Sequence, residues 1–205
     1  MKRFLFLIIL LFTIFFSISV VAQELGSLRK QYKISFSEKI QNPLGPPLPA
    51  GTYTVGTGGY FPTIDSAFNE LSTDGIAGAV NLTLIDTLYQ TPTGLRFELI
   101  GPIIGAGPNA RITIRPAVDT KVKIRGDNTA VLTFTDVKYV TVDGHSNPSS
   151  SPAEIFVHAL YNPAYDWNDC IDVWRDADFN QFLNLTLRSD DIRSLGNSLL
   201  LLSDG

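Results

Sequence analysis

The chain has 205 residues, of which 44% are hydrophobic and 18% charged, a globular balance that excludes a disordered protein and suits one domain or the first part of a larger one. The net charge is −4 and no Lys/Arg cluster follows Arg3, which argues against nucleic acid as a partner. A single cysteine, Cys170, allows no internal disulfide, so an exported chain of this size must be stabilised by an extended core.

Residues 1–22 read as a secretory signal peptide. Lys2 and Arg3 precede the apolar run Phe4–Val21, and Ala22 supplies the small residue at the cut. An uncleaved anchor is the rival, since 18 apolar residues just span a bilayer. The only membrane contact expected is through this export signal. Residues 23–50 form a polar leader that ends in the proline-rich "NPLGPPLPA", a stiff linker before a domain drawn at 51–205.

A short helix comes next. Ile64, Ala67, Phe68 and Leu71 share one face, Thr63 is the expected N-cap, and Gly75 follows the end. About eight residues cannot hold a helix alone, so its apolar face must pack on something. The period then changes from 3.6 to 2. Strands are expected at Val80–Leu84, Ile112–Ile114, Val122–Ile124, Leu132–Phe134 and Val140–Val142, separated by turns rich in Gly, Pro, Asp and Asn. "ITIRP" at Ile112 matches "LTFTD" at Leu132, and "VKIRG" at Val122 matches "VTVDG" at Val140. "FTDVKYVTVDG" matches "WRDADFNQFLN", pairing Phe134 with Trp174 and Val142 with Leu183. Strand–turn units repeating about every 20 residues point to a solenoid. On this reading Ser146–Asp169 is either one poorly patterned turn or an inserted loop. The competing fold is an antiparallel sandwich, which would need two-residue Asn-Gly or Asp-Gly hairpins.

The segment Ala50–Leu71, with Phe61, Thr63, Ile64 and Ala67 in an "F-x-T-I-x-x-A" pattern, resembles the opening of right-handed parallel β-helix proteins of the pectin-lyase-like superfamily. Pectin methylesterases and many large secreted bacterial surface proteins share that opening. The resemblance runs over about Gly51–Leu202. It implies an all-β, right-handed parallel β-helix with a short N-terminal capping helix. Because "NSLLLLSDG" looks like the start of another coil, it also implies a solenoid truncated at its C-terminal end. A secreted or cell-surface module contacting polysaccharide or cell-surface glycans is the function that follows. The alternative is a carbohydrate-active hydrolase, lyase or esterase whose site lies partly beyond Gly205.

Candidate site residues are few, and they do not decide whether the chain is an enzyme. Asp169 and Asp172 in "DWNDCIDV" are carboxylates of the kind acid/base hydrolysis needs. "NDCID" is similar to the "DDC" motif of polygalacturonases, with Asn168 in place of the first Asp, while the "NTD", "GHG" and "RIK" elements are absent. Outward polar aspartates around core positions at Cys170 and either Val173 or Ile171 are the plainer reading. Asp143 and His145 form a second candidate acid/base pair, set against a simple Asp-Gly turn. Tyr161, Tyr165, Trp167 and Trp174 form a candidate glycan-contact patch, set against ordinary packing. No cofactor is expected. Asp190 and Asp191 lack calcium-loop spacing, and two histidines give no metal site.

Overall fold

The computed structural model describes residues 45–146, 154–165 and 168–190, and the backbone of 200–203. The expected signal peptide, most of the leader, Trp167 and Asp191 lie outside the described residues. Among those described, no helix is long and apolar enough to cross a membrane.

The chain after the leader is a parallel β-solenoid. Strand β1 (Gly51–Val55) is followed by helix α1 (Ile64–Asp74) and then by four coils of three strands each. The first coil is β2 (Val80–Leu84), β3 (Leu88–Gln90) and β4 (Phe97–Ile100). The second is β5 (Ile112–Pro116), β6 (Val122–Gly126) and β7 (Ala130–Thr135). The third is β8 (Val140–Asp143), β9 (Ile155–Ala159) and β10 (Asp169–Trp174). The fourth is β11 (Gln181–Leu183), β12 (Leu185–Ser189) and β13 (Leu200–Ser203). Stacked coils make three sheets: sheet 1 is β1-β2-β5-β8-β11, sheet 2 is β4-β7-β10-β13, and sheet 3 is β3-β6-β9-β12. Every one of these strand pairings is parallel, which excludes the sandwich.

Alternation along each strand sends every second side chain inward, and register stacks like on like. Leu82, Ile114 and Val142 form one inner column, and Phe97, Leu132 and Ile171 another. All six are 5% exposed or less. Burying each such side chain contributes roughly 1.5–3 kcal/mol.

The repeat expected at about 20 residues is corrected here. Ile112 and Leu132 belong to different sheets of one coil, and the true coil is longer: Val80 stacks on Ile112, 32 residues on, and Thr141 on Gln181, 40 on. The 40-residue match found the right strands but slipped by one. Phe134 lies beside Val173, and Trp174 lies beside Thr135; likewise Val142 lies beside Phe182. A one-residue slip exchanges the faces of a strand, and accordingly Phe134 is fully buried while Trp174 is 45% exposed. The cause is the corner after each strand. Residues at positive φ bracket it at Asp136 and Tyr139 in one coil, and at Arg175 and Phe179 in the next, so the second corner is one residue longer. Ser146–Asp169 is neither a full turn nor an inserted loop, because it contains β9.

Helix α1 runs 11 residues rather than about eight. Thr63 caps it in a capping box: its Oγ1 accepts from Ser66 N–H, and Ser66 Oγ accepts from Thr63 N–H, both at 3.1 Å. Gly75, at φ 76°, ends it, and a Cβ there would lie 2.5 Å from Ile104 O. The helix covers the core at the first coil. Ile64, Ala67, Phe68 and Leu71 are buried, Phe68 lies 6.3 Å from Phe134, and Ile100 N–H donates to Ser72 Oγ. Under it is an apolar void of about 10 Å³ lined by Val55, Ala67, Phe68 and Leu82 among others.

Candidate functional site

Inward residues of sheet 2 at Leu99, Phe134 and Val173 oblige their neighbours to face outward. Glu98, Thr133 and Asp172 therefore form one outer row, in register on β4, β7 and β10. Thr135 and Trp174 share that face by parity, and Arg96 precedes it. Arg96 Nη2 pairs with Glu98 Oε1 at 3.2 Å, and Thr135 Oγ1 donates to the same oxygen at 3.3 Å.

The centre of the row is buried and incompletely bonded. Thr133 is 3% exposed and Asp172 5%, yet Thr133 Oγ1 and Asp172 Oδ1 have no hydrogen-bond partner. Buried polar atoms are nearly always paired, so two orphans side by side on an outer face need a reason. Burial pushes the Asp172 carboxyl above the ordinary aspartate range. Hydrogen bonding from the Trp174 side chain and the charge of Arg96 oppose that shift, while the charge of Glu98 adds to it. Glu98 and Asp172 sit two strands apart, about 10 Å between backbones. Trp174 presents its indole at the end of the row, 45% exposed.

The residues picked from the sequence are dispersed over this framework. Asp169 lies three positions from Asp172, so the strand puts it on the opposite side, with Ile171 and Val173; it is 3% exposed and has interactions of its own. The two aspartates thus do not converge on one ligand. Asn168 is fully buried, and its Nδ2 donates to Asn128 O at 2.7 Å while Asn128 Nδ2 donates to Gly94 O at 2.6 Å. An amide ladder through three coils explains this asparagine without catalysis. Cys170 is buried, its thiol donates to Arg188 O at 3.0 Å, and burial pushes it up to about 11. It is a poor nucleophile at neutral pH.

Asp143 Oδ1 accepts from His145 N–H at 3.1 Å and from Asn184 Nδ2 at 2.9 Å. The aspartate is therefore engaged in an Asx turn and an inter-coil bond, as in the plainer reading. Tyr161 and Tyr165 lie in the corner between β9 and β10, and the Tyr165 hydroxyl faces Gly94. Trp174 ends β10, so the length of that strand, about 17 Å, separates it from them. Asp190 is held by His158, with Nε2 at 2.9 Å from Oδ2, and by Arg188 at 3.1 Å. The His158 contact is within hydrogen-bonding reach, and it holds the Asp190 carboxyl below the ordinary aspartate range. Among the described residues no three metal-ligating side chains cluster.

Glu98 escaped the sequence reading. Its strand "FELI" carries the signal, with Phe97 and Leu99 inward and Glu98 outward, but nothing local ties it to Asp172 two coils later. No protein-family model matches the chain, and no curated protein or solved structure matches it either.

Proposed function

We propose that this solenoid is the binding scaffold of an exported, surface-associated protein, and that the outer face of sheet 2 contacts a polysaccharide. The observation that carries this reading is the pair of orphaned oxygens, Thr133 Oγ1 and Asp172 Oδ1, beside the half-exposed Trp174. Both oxygens are shielded from solvent, so neighbouring side chains must move aside before a sugar ring, whose hydroxyls both donate and accept, can satisfy them together. An indole face supplies the apolar platform for its C–H side. Export rests on the signal-peptide pattern of residues 1–22, and bacterial origin and kinship with the pectin-lyase-like superfamily rest on the resemblance of Ala50–Leu71. A glycan array tests the reading. Wild type should retain a subset of glycans that Trp174→Ala loses, and an array with no hits removes it.

One observation favours a second reading, a carbohydrate-active enzyme. Glu98 and Asp172 are two carboxylates on one face, and Asp172 has its proton affinity raised, as a general acid requires. Their backbone spacing accommodates the roughly 6.5–9.5 Å between carboxyl groups in inverting glycosidases. On this reading Glu98, not Asp169, partners Asp172. Release of reducing ends by the wild type, lost in both Glu98→Gln and Asp172→Asn, would favour the enzyme. Binding without turnover would favour the scaffold.

A further inference from the structure

Charge on the outer face of sheet 2 does not balance. Among the described residues its charged side chains are Glu98 and Asp172, with Arg96 just ahead of β4, and the Arg96 guanidinium is engaged by Glu98 at 3.2 Å. Asp172 is left without a counter-ion of its own. The strand on one side of it carries Thr133 and Thr135, and the strand on the other carries Leu201 and Ser203 at the matching register positions, so neither supplies a cation. Asp172 is 5% exposed and Thr133 3%, and Oδ1 of the first and Oγ1 of the second lack a hydrogen-bond partner. Burial raises the proton affinity of Asp172 by more than the charge of Arg96 lowers it. A buried carboxylate in this state is costly, because charge away from water calls for a paired opposite charge.

We propose that this face takes a glycan whose sugars carry a free amino group, with one ammonium seated between Asp172 and Thr133. An ammonium donates three hydrogen bonds and accepts none, and both orphaned oxygens can accept. Neighbouring strands lie about 4.8 Å apart, so one nitrogen between β7 and β10 reaches both oxygens. It also brings the positive charge that a sugar hydroxyl lacks, and charge-assisted hydrogen bonds are roughly twice as strong as neutral ones. The two oxygens are shielded, so the side chains over them must shift as the amine enters, and the stronger bonds offset that rearrangement. The Trp174 side chain donates to the same carboxylate and is 45% exposed, which keeps the indole beside the ammonium position. An aromatic face there attracts a cation and packs on the C–H side of the sugar ring. A uronate fits worse, since its carboxylate would meet Asp172 and Glu98 and find Arg96 already paired. A lysine side chain offers the same ammonium but no sugar ring to lie against the indole. The inference rests on the proposed reading of sheet 2 as a glycan-contacting face and adds the chemistry of the sugar to it.

Titration calorimetry near neutral pH with a fully deacetylated chitooligosaccharide, its N-acetylated counterpart of equal length, a uronate oligomer and oligolysine tests this. The deacetylated sugar should bind at least about tenfold more tightly than the acetylated one. Asp172→Asn should erase that preference. Asp178→Asn, an equal charge change at the exposed pair with Lys138, should keep it. Circular dichroism confirms that each variant is folded. A preference that survives Asp172→Asn would overturn the proposal. So would tighter binding of the uronate, or oligolysine binding as tightly as the amino sugar. Equal binding of the two chitooligosaccharides would overturn it too and leave the glycan reading of sheet 2 standing, whereas no binding of any sugar, here or on the array, would remove both.

Discussion

Truncating Phe68 probes whether α1 closes the solenoid. Phe68 is 3% exposed, faces the ring of Phe134, and borders the void under the helix. A buried aromatic side chain covers on the order of 150–250 Å², which at about 25 cal/mol per Å² amounts to roughly 4–6 kcal/mol. Alanine retains a small part of that, and the space left joins a void already present, so collapse offsets little of the loss. Phe68→Ala should therefore cost about 3–5 kcal/mol, a large share of the roughly 5–15 kcal/mol that holds a domain folded. Phe68→Asp should cost more, because it adds an unpaired buried charge. Urea unfolding followed by circular dichroism measures both, with Tyr60→Ala as the exposed control; Tyr60 is 63% exposed, and its loss should stay near 0.5 kcal/mol. A loss below about 1 kcal/mol for Phe68→Ala would mean that the helix does not close the core.

Asp172→Asn should raise the melting temperature at pH 7. The folded carboxyl holds its proton more tightly than the unfolded one, so its contribution is present below the ordinary aspartate pKa and is lost as pH rises through the elevated folded value. A pH series of melting curves should show the variant's advantage vanish on acidification; a constant difference would contradict the assignment. Asn168→Ala breaks the amide ladder and leaves Asn128 O without this donor, at a cost of about 1–3 kcal/mol by urea titration. An unchanged midpoint would show that the ladder carries no stability. Cys170 should react with a thiol reagent only after denaturation, since it is fully buried and its thiol is pushed up to about 11. Rapid labelling of the native chain would show that β10 opens locally.

The fold was readable where one local signal decides one element. Thr63, the apolar face at Ile64, Ala67, Phe68 and Leu71, and Gly75 specify α1, and the alternation in "VNLTL" and "ITIRP" specifies strands. The coil was not readable, because three sheets share that alternation and a strand in one looks like a strand in another. Its register depends on a single residue in the corner at 175–179, which alternation does not register. Which candidate residues share a face was hidden for the same reason. Asp169 and Asp172 are neighbours in sequence but lie on opposite sides of β10, whereas Glu98 and Asp172 share a face across two coils.

On the proposed reading, the outer row of sheet 2 keeps Thr133 Oγ1 and Asp172 Oδ1 unpartnered for a ligand at some cost to the fold. The most direct measurement is the affinity of wild type and Asp172→Asn for the strongest glycan on the array, by titration calorimetry at pH 7. The variant, more stable than the wild type, should bind at least about tenfold more weakly, because a carboxylate that accepts from sugar hydroxyls has been removed. Unchanged affinity in the stabilised variant would contradict it.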